Sequence, residues 1–383
     1  METPTEVGNT LVYLLYNASM NDTTEAGPVE SPALRLVLWA VLDGIIGFLG
    51  VVGNGLVLLV FFRGKSSRNL INLFIINQSM IDFTSSVIFL LIHLGPKFEL
   101  EPGHGGHLIL CKIWVSEYVM WALFISSSIN LVCITLERYV ATLKPAWYRK
   151  KVAAVKKRIV PVAVVVWCSG FLIDAFWAYV QQVLPGNLCV PVYKSTVWQG
   201  VGGVMIFCVT YLIPLTVMAY CYSRIIRKLG KQAAKVQSQS PARSVSRNVT
   251  VNEQASGSGA SGSLLGGNNK KSIRSSASSR AMKNVIKTMM IVSATYAITW
   301  APIAFNYVIY NLGGPLDFQS TWYEVTKLFV YANMCGNPFI YAMQYRQFQV
   351  GLKRMFCSCK RETQVNAERA DMSQSRTGGD TLA

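Results

Sequence analysis

Charge is scarce in this chain. Of its 383 residues only 14% are Asp, Glu, Lys or Arg, while 51% are hydrophobic; a soluble domain carries about a quarter charged residues. That balance excludes a water-soluble enzyme and a disordered polar chain. Histidine is scarcer still. There are three, His93, His104 and His107, with no His-Glu-x-x-His pair and no other catalytic constellation, so the chain does not read as a membrane protease or hydrolase. His104-Gly-Gly-His107 offers two metal ligands, but on a Gly-rich loop that does not hold them in place. No internal repeat is present, which weakens a transporter built from inverted halves. Nine cysteines spread over the whole length do not make a disulfide-dense scaffold. The start of the chain lacks a basic n-region and a short apolar core, so no cleavable signal peptide is expected. The net charge of +17 is not interleaved with aromatic residues, so nucleic acid is not an expected partner.

What the chain has is long apolar runs. Seven stretches reach the roughly 20 residues that a membrane crossing needs: Leu36–Phe62, Leu70–Leu94, Leu108–Arg138, Ile159–Val180, Gly200–Ile226, Val285–Tyr310 and Trp322–Tyr341. None alternates strictly, so each reads as a helix. Pro161, Pro214, Pro302 and Pro338 lie inside these runs, where neighbouring helices re-satisfy the carbonyl that each proline frees. An odd number of crossings puts the two ends on opposite sides. The loops after the odd-numbered segments and the tail hold twenty-nine Lys and Arg, against five in the opposite set. The bias places the N-terminus outside. The sequons at Asn17 and Asn21 then lie where a lumenal enzyme reaches them. The expected class is an all-α membrane protein, a seven-transmembrane helix bundle with a short amphipathic eighth helix. Residues 1–35 form an extracellular N-terminal tail, 36–342 the bundle, 343–356 the amphipathic helix and 357–383 a cytoplasmic tail. A Ser/Gly/Lys/Arg-rich third cytoplasmic loop at about 230–280 is expected to be disordered.

Polar residues inside the apolar runs carry the most information, because an acidic side chain at mid-membrane costs about 2.5–3.5 kcal/mol. Asp82 sits in the middle of the second segment. On the seventh, Asn333, Asn337 and Tyr341 recur every four residues and share one face. Ser126-Ser-Ser128 precedes Glu137-Arg138-Tyr139 on the third. Taken alone, any one of these reads as interhelical glue. Together with Gly53-Asn54, Asn77, Pro145, Trp167, Pro214, Tyr222, Trp300-Ala-Pro302 and Asn337-Pro338-Phe-Ile-Tyr341, each in order and on its own segment, they form a pattern. From about residue 36 to 356 the chain resembles a rhodopsin-like (class A) G-protein-coupled receptor of the peptide-receptor type.

The resemblance implies roles. Arg138 holds the closed cytoplasmic face, with Glu137 as its local partner and Tyr139 beside it, and contacts the G protein when active. Trp300 lies beneath the ligand pocket, Pro302 kinks the sixth segment, and Tyr222 and Tyr341 approach each other in the active state, next to Asn337 and Pro338. Asp82, Ser127, Asn333 and Asn337 match the family's sodium pocket; no cofactor is otherwise implied. Cys111 pairs with Cys189, in an oxidising compartment. Partners implied are an extracellular ligand, a heterotrimeric G protein, arrestin and receptor kinases, and membrane lipids, at the plasma membrane. Departures stand out as well. Met282 replaces the acidic residue at the foot of the sixth segment, so an ionic lock from Arg138 is not expected there. Tyr296 stands for a usual Phe and Ser128 for a usual aliphatic residue, and Cys111 lies about two residues farther from Arg138 than is usual, which predicts a longer or bulged start to the third segment. Cys357 and Cys359 follow a basic amphipathic stretch and read as palmitoylation sites.

Met120 occupies the position where amine receptors carry Asp, and Tyr331 the position of the opsin Schiff-base Lys, so neither an amine agonist nor light is expected. Candidate ligand-binding residues are Glu117, Met120, Trp121, Asp174, Tyr307, Lys327 and Tyr331. An acidic, aromatic-rich entrance suits a basic or amidated peptide better than a lipid. A class A receptor for a non-peptide small molecule or lipid is the alternative, and a membrane transporter a remote one.

Overall fold

In hydrocarbon, an apolar run satisfies its own backbone only as a helix or in a closed barrel, and each of the seven runs is helical in the computed structural model. Residues 32–63, 69–186, 188–238, 266–318 and 320–355 are described. The elements are α1 (Pro32–Arg63), α2 (Leu70–His93), α3 (Gly105–Leu110), α4 (Tyr118–Leu143), α5 (Pro145–Lys157), α6 (Ile159–Val180), β1 (Gln181–Leu184), β2 (Leu188–Pro191), α7 (Thr196–Phe207), α8 (Ile213–Ser238), α9 (Gly266–Asn311) and α10 (Thr321–Gln344), followed by a helical stretch, α11, over 346–355. The third span is α3 and α4 joined through a π-helical turn at Cys111–Val115, and the fifth is α7 and α8 joined through another at Cys208–Leu212. Among the described residues six spans are long and apolar enough to cross a membrane. The seventh, α10, is less apolar because Glu324, Lys327, Asn333 and Asn337 lie within it, and it closes the bundle against α1 and α9. The central column is α4, which touches α2, α6, α8 and α9.

Two prolines fasten the bundle through the carbonyls they orphan. Pro338 has no N–H for the carbonyl of Met334, and the Asn54 amide from α1 donates to it at 2.9 Å. The approach is close enough that a Cβ on Gly53 would sit 3.0 Å from the Pro338 ring, so Gly53-Asn54 and Asn337-Pro338 are two halves of one joint. Pro214 likewise frees the carbonyl of Thr210, inside the π turn, and the Tyr296 hydroxyl donates to it at 2.5 Å. Tyr211 returns the bond, donating to the carbonyl of Ala297 at 2.9 Å. Tyr296 therefore has a partner that Phe would leave unbonded.

The bulge expected at the start of the third span is present. The π turn at Cys111–Val115 is followed by Glu117 in the left-handed region, φ 60°, which absorbs the extra length before α4 begins. From that turn Lys112 donates to the carbonyls of Ala178 and Tyr179 at 3.1 and 2.7 Å, capping the end of α6. Cys111 is disulfide-bonded to Cys189, with Cα atoms 5.6 Å apart.

Two features depart from the all-α, loop-interrupted expectation. Cys189 belongs to an antiparallel hairpin of β1 and β2, with Val183 opposite Cys189. Pro185-Gly186, with Gly186 at φ 87°, supplies the turn, and the paired strands carry the β-branched Val183 and Val190. In addition, helix extends into the 230–280 stretch from both sides: α8 runs on to Ser238 and α9 starts at Gly266. Extending an existing helix costs far less than nucleating one, and Lys231-Gln-Ala-Ala-Lys235 is made of good helix formers. Residues 239–265 lie outside the described residues.

Candidate functional site

At the end of the bundle that carries the disulfide, a cavity of about 110 Å³ lies between the third, fourth, fifth, sixth and seventh spans. Its lining is aromatic and aliphatic: Trp121, Trp177, Phe207, Trp300, Tyr307, Tyr310, Phe318 and Tyr323 with Ile125, Ile206, Ile303 and others. One carboxylate interrupts it. Asp174 on α6 is 6% exposed, lines the cavity, and has an oxygen, Oδ2, with no hydrogen-bond partner. Across from it Tyr307 also lines the cavity, and its hydroxyl is likewise unpartnered. Asp174 is buried inside the bundle because the face of α6 that carries Val166, Gly170 and Asp174 is the one turned inward.

Of the candidate ligand-binding residues, Trp121, Asp174 and Tyr307 line this cavity. Glu117, Lys327 and Tyr331 do not. They form an adjoining polar cluster, in which Glu117 accepts from the Trp121 indole at 3.1 Å and the Tyr331 hydroxyl at 3.4 Å and lies 3.7 Å from His93 Nε2. Lys327 pairs with Glu324 at 3.0 Å and lies over the Tyr323 ring. Trp121 and Tyr323 are shared between cluster and cavity. Met120 does neither job; it is fully buried in the apolar core and is not among the residues that line the cavity. Residues that sequence reading missed include Phe207, Tyr310, Phe318 and Tyr323. Aromatic density in the fifth to seventh segments was their one signal.

The middle of the bundle holds Asp82, 1% exposed. Ser127 donates to Oδ1 at 2.9 Å and Asn337 to Oδ2 at 2.8 Å. Asn333 is half-buried and contributes no hydrogen bond to this cluster among the described residues. Its place is taken by Gln78, one turn before Asp82 on the same helix face, whose amide reaches both carboxylate oxygens at 3.1 Å and also Ser127. The neighbouring serines are used separately: Ser126 bonds the carbonyl of Trp167 on α6, and Ser128 its own helix at Phe124.

At the opposite end Arg138, 9% exposed, makes a two-pronged pair with Glu137, and Tyr148 from α5 donates to the same carboxylate. Burial and the adjacent Glu137 carboxylate push the Tyr148 phenol up, so it remains a donor. Met282 is 39% exposed and offers no charge. The lock on Arg138 is therefore local. Tyr139 stacks near Tyr220, 6.2 Å between ring centres. Tyr222 accepts from Thr135 at 3.2 Å and Ser293 at 3.3 Å, whereas the buried Tyr341 hydroxyl has no partner. The two tyrosines are not bonded to each other. Beyond α10, Phe348 of α11 is buried against Phe61 and Tyr345 donates to Asn72 at 2.7 Å. Asn17, Asn21, Cys357 and Cys359 lie outside the described residues.

Comparison with known proteins agrees with this geometry. The family model described as 7 transmembrane receptor (rhodopsin family) matches residues 53–341. The chain is similar to the cholecystokinin receptor type A of Cavia porcellus, 25% identical over 396 aligned positions that cover 92% of this chain and 87% of the relative. It is similar to galanin receptor 2b of Danio rerio, 26% identical over 330 positions covering 84% and 75%. The substance-P receptor of Aquarana catesbeiana is 24% identical over 351 positions, covering 90% and 76%.

Proposed function

Because the chain belongs to the rhodopsin family of seven-transmembrane receptors, we propose that it is a plasma-membrane receptor whose extracellular ligand is a peptide with a basic or amino group, and which activates heterotrimeric G proteins. The N-terminus and the disulfide-bearing end face outward on this reading, and the Arg138 end faces the cytoplasm. Asn17 and Asn21 are then glycosylation sites, and Cys357 and Cys359, after the amphipathic α11, carry palmitate at the membrane surface. Arrestin and receptor kinases act on the tail, where Ser373, Ser375 and Thr377 alternate with other residues.

The observation that supports the ligand class is Asp174. A buried carboxylate without a partner is costly, and Asp174 Oδ2 has nothing to offset that cost. A guanidinium or ammonium group entering the cavity supplies the missing charge and donors, and the aromatic rings around it add cation–π contact. Relatives named for peptide ligands, cholecystokinin, galanin and substance P, fit the same class. Agonist binding favours the state in which the lower part of α9 moves away from Arg138, hinged near Pro302, and frees it from Glu137. Basic and amidated peptides applied to membranes holding the receptor and a G protein are expected to stimulate nucleotide exchange. Stimulation by lipids or neutral small molecules alone would refute the peptide reading.

A further inference from the structure

We propose that Gln78 takes the place of a cation beside Asp82, so that the central carboxylate is served by the receptor's own amides and takes up no sodium. The family pattern implies a sodium site here, and the residues present do not fit one. A sodium ion needs oxygen lone pairs converging on it. Asp82 is instead met by hydrogens: the Gln78 amide at both oxygens, the Ser127 hydroxyl at one and the Asn337 amide at the other. Ser127 turns its lone pair to Gln78, and Asn333 makes no hydrogen bond to the cluster among the described residues. Among the described residues of this cluster, the one acceptor left without a partner is Asn337 Oδ1.

An amide can be turned end for end, which would offer Gln78 Oε1 to a cation. A chain of hydrogen bonds prevents that. The Trp167 indole N–H on α6 can only donate, and it donates to Asn77 Oδ1 at 3.1 Å. Asn77 therefore presents its NH2 to Asn130 Oδ1, at 2.9 Å. The NH2 of Asn130 is consumed by Gln78 Oε1 at 2.8 Å and the carbonyl of Phe74 at 3.0 Å. Gln78 is left with its NH2 toward Asp82. Reversing any one amide sets like against like at two or more contacts. The indole thus fixes the polarity of the whole relay across α6, α2 and α4, and the relay ends by presenting donors, rather than acceptors, to the carboxylate.

The consequence is a receptor whose conformational balance does not read sodium. Where an ion and an agonist are coupled, agonist affinity typically shifts about 5–150-fold with the ion; here it stays within about twofold. The test uses the full chain in detergent or nanodiscs, with its melting temperature measured in sodium chloride and in N-methyl-D-glucamine chloride at equal ionic strength. No sodium-specific shift is expected for wild type or for Asp82→Asn. Gln78→Ala is expected to gain a sodium-specific rise that Gln78→Ala/Asp82→Asn lacks, and Gln78→Leu, closer in volume, is read beside it in case one variant folds poorly. A sodium-specific rise in wild type that Asp82→Asn abolishes would overturn the proposal, whatever the Gln78 variants do. It would equally be overturned if wild type ignored sodium and neither folded Gln78 variant gained a response. None of these readouts needs the agonist, so failure of the peptide reading leaves them intact.

Discussion

Asp82 and Asp174 are both carboxylates buried in one helix bundle, yet their surroundings differ in kind. Both oxygens of Asp82 are bonded, by Gln78, Ser127 and Asn337, and behind Gln78 the side chains of Asn130, Asn77 and Trp167 continue a relay of hydrogen bonds. Asp174 has an oxygen with no partner, beside a tyrosine hydroxyl in the same condition. Unpaired buried polar groups are costly, so a bundle that satisfies one carboxylate so fully and leaves the other open has placed the open one where something else completes it. The relay around Asp82 ties three helices together; the unpartnered Asp174 and Tyr307 oxygens line the cavity, where a ligand completes them.

Breaking the paired region is expected to cost the most. Asn130→Ala leaves Asn77 Nδ2 and Gln78 Oε1 without partners in the middle of the relay, a loss of about 2–3 kcal/mol seen as a lower melting temperature of the ligand-free receptor. Next comes Asn54→Ala. It strands the Met334 carbonyl that Pro338 cannot serve, at about 1–2 kcal/mol, and a melting curve unchanged from wild type would mean that the joint with α1 contributes nothing. Tyr296→Phe removes one hydroxyl bond to the Thr210 carbonyl. Interhelical bonds in membranes average about 0.6 kcal/mol, so a loss of roughly that size is expected, together with faster basal nucleotide exchange as α9 loosens from the π turn. Smallest is Tyr307→Phe. Its hydroxyl has no partner to lose, and the ligand-free receptor should melt within about 0.5 kcal/mol of wild type; a drop as large as that of Asn54→Ala would erase the distinction between the two regions.

Much of this was legible in the residues. Long apolar runs specify helices because hydrocarbon offers the backbone no other partner, and the position of Cys111 relative to Arg138 announced the bulge before the π turn was seen. Gly53, Asn54 and Pro338 were legible as a pattern, although the reason, an orphaned carbonyl met across a close contact, joins two helices far apart in the sequence. Gln78 was overlooked. Its spacing from Asp82 places the two on one helix face, and that was the available signal; its direction depends on Asn130 and Trp167 from two other helices, which no local pattern encodes. Asp174 was legible as a charge at the ligand end, but its burial depends on which face of α6 meets α4. Met120 and Lys327 were candidates by position along the chain, but the turn of each helix carries Met120 into the core and Lys327 to the Glu324 cluster. The hairpin and the helical extensions beyond the membrane runs come from turn chemistry and helix propagation, which hydropathy does not register.

The central claim is that an open carboxylate in an aromatic cavity receives a cationic group of a peptide agonist. Nucleotide exchange on a G protein should be compared for wild type and Asp174→Asn, each titrated with the most potent peptide from the basic and amidated set. Removing one member of a buried charge pair costs about 2–5 kcal/mol, so potency is expected to fall by roughly 30-fold or more, while the ligand-free variant melts no lower than wild type. Equal potency on the two receptors would contradict the account, and so would a loss of potency matched by a loss of stability.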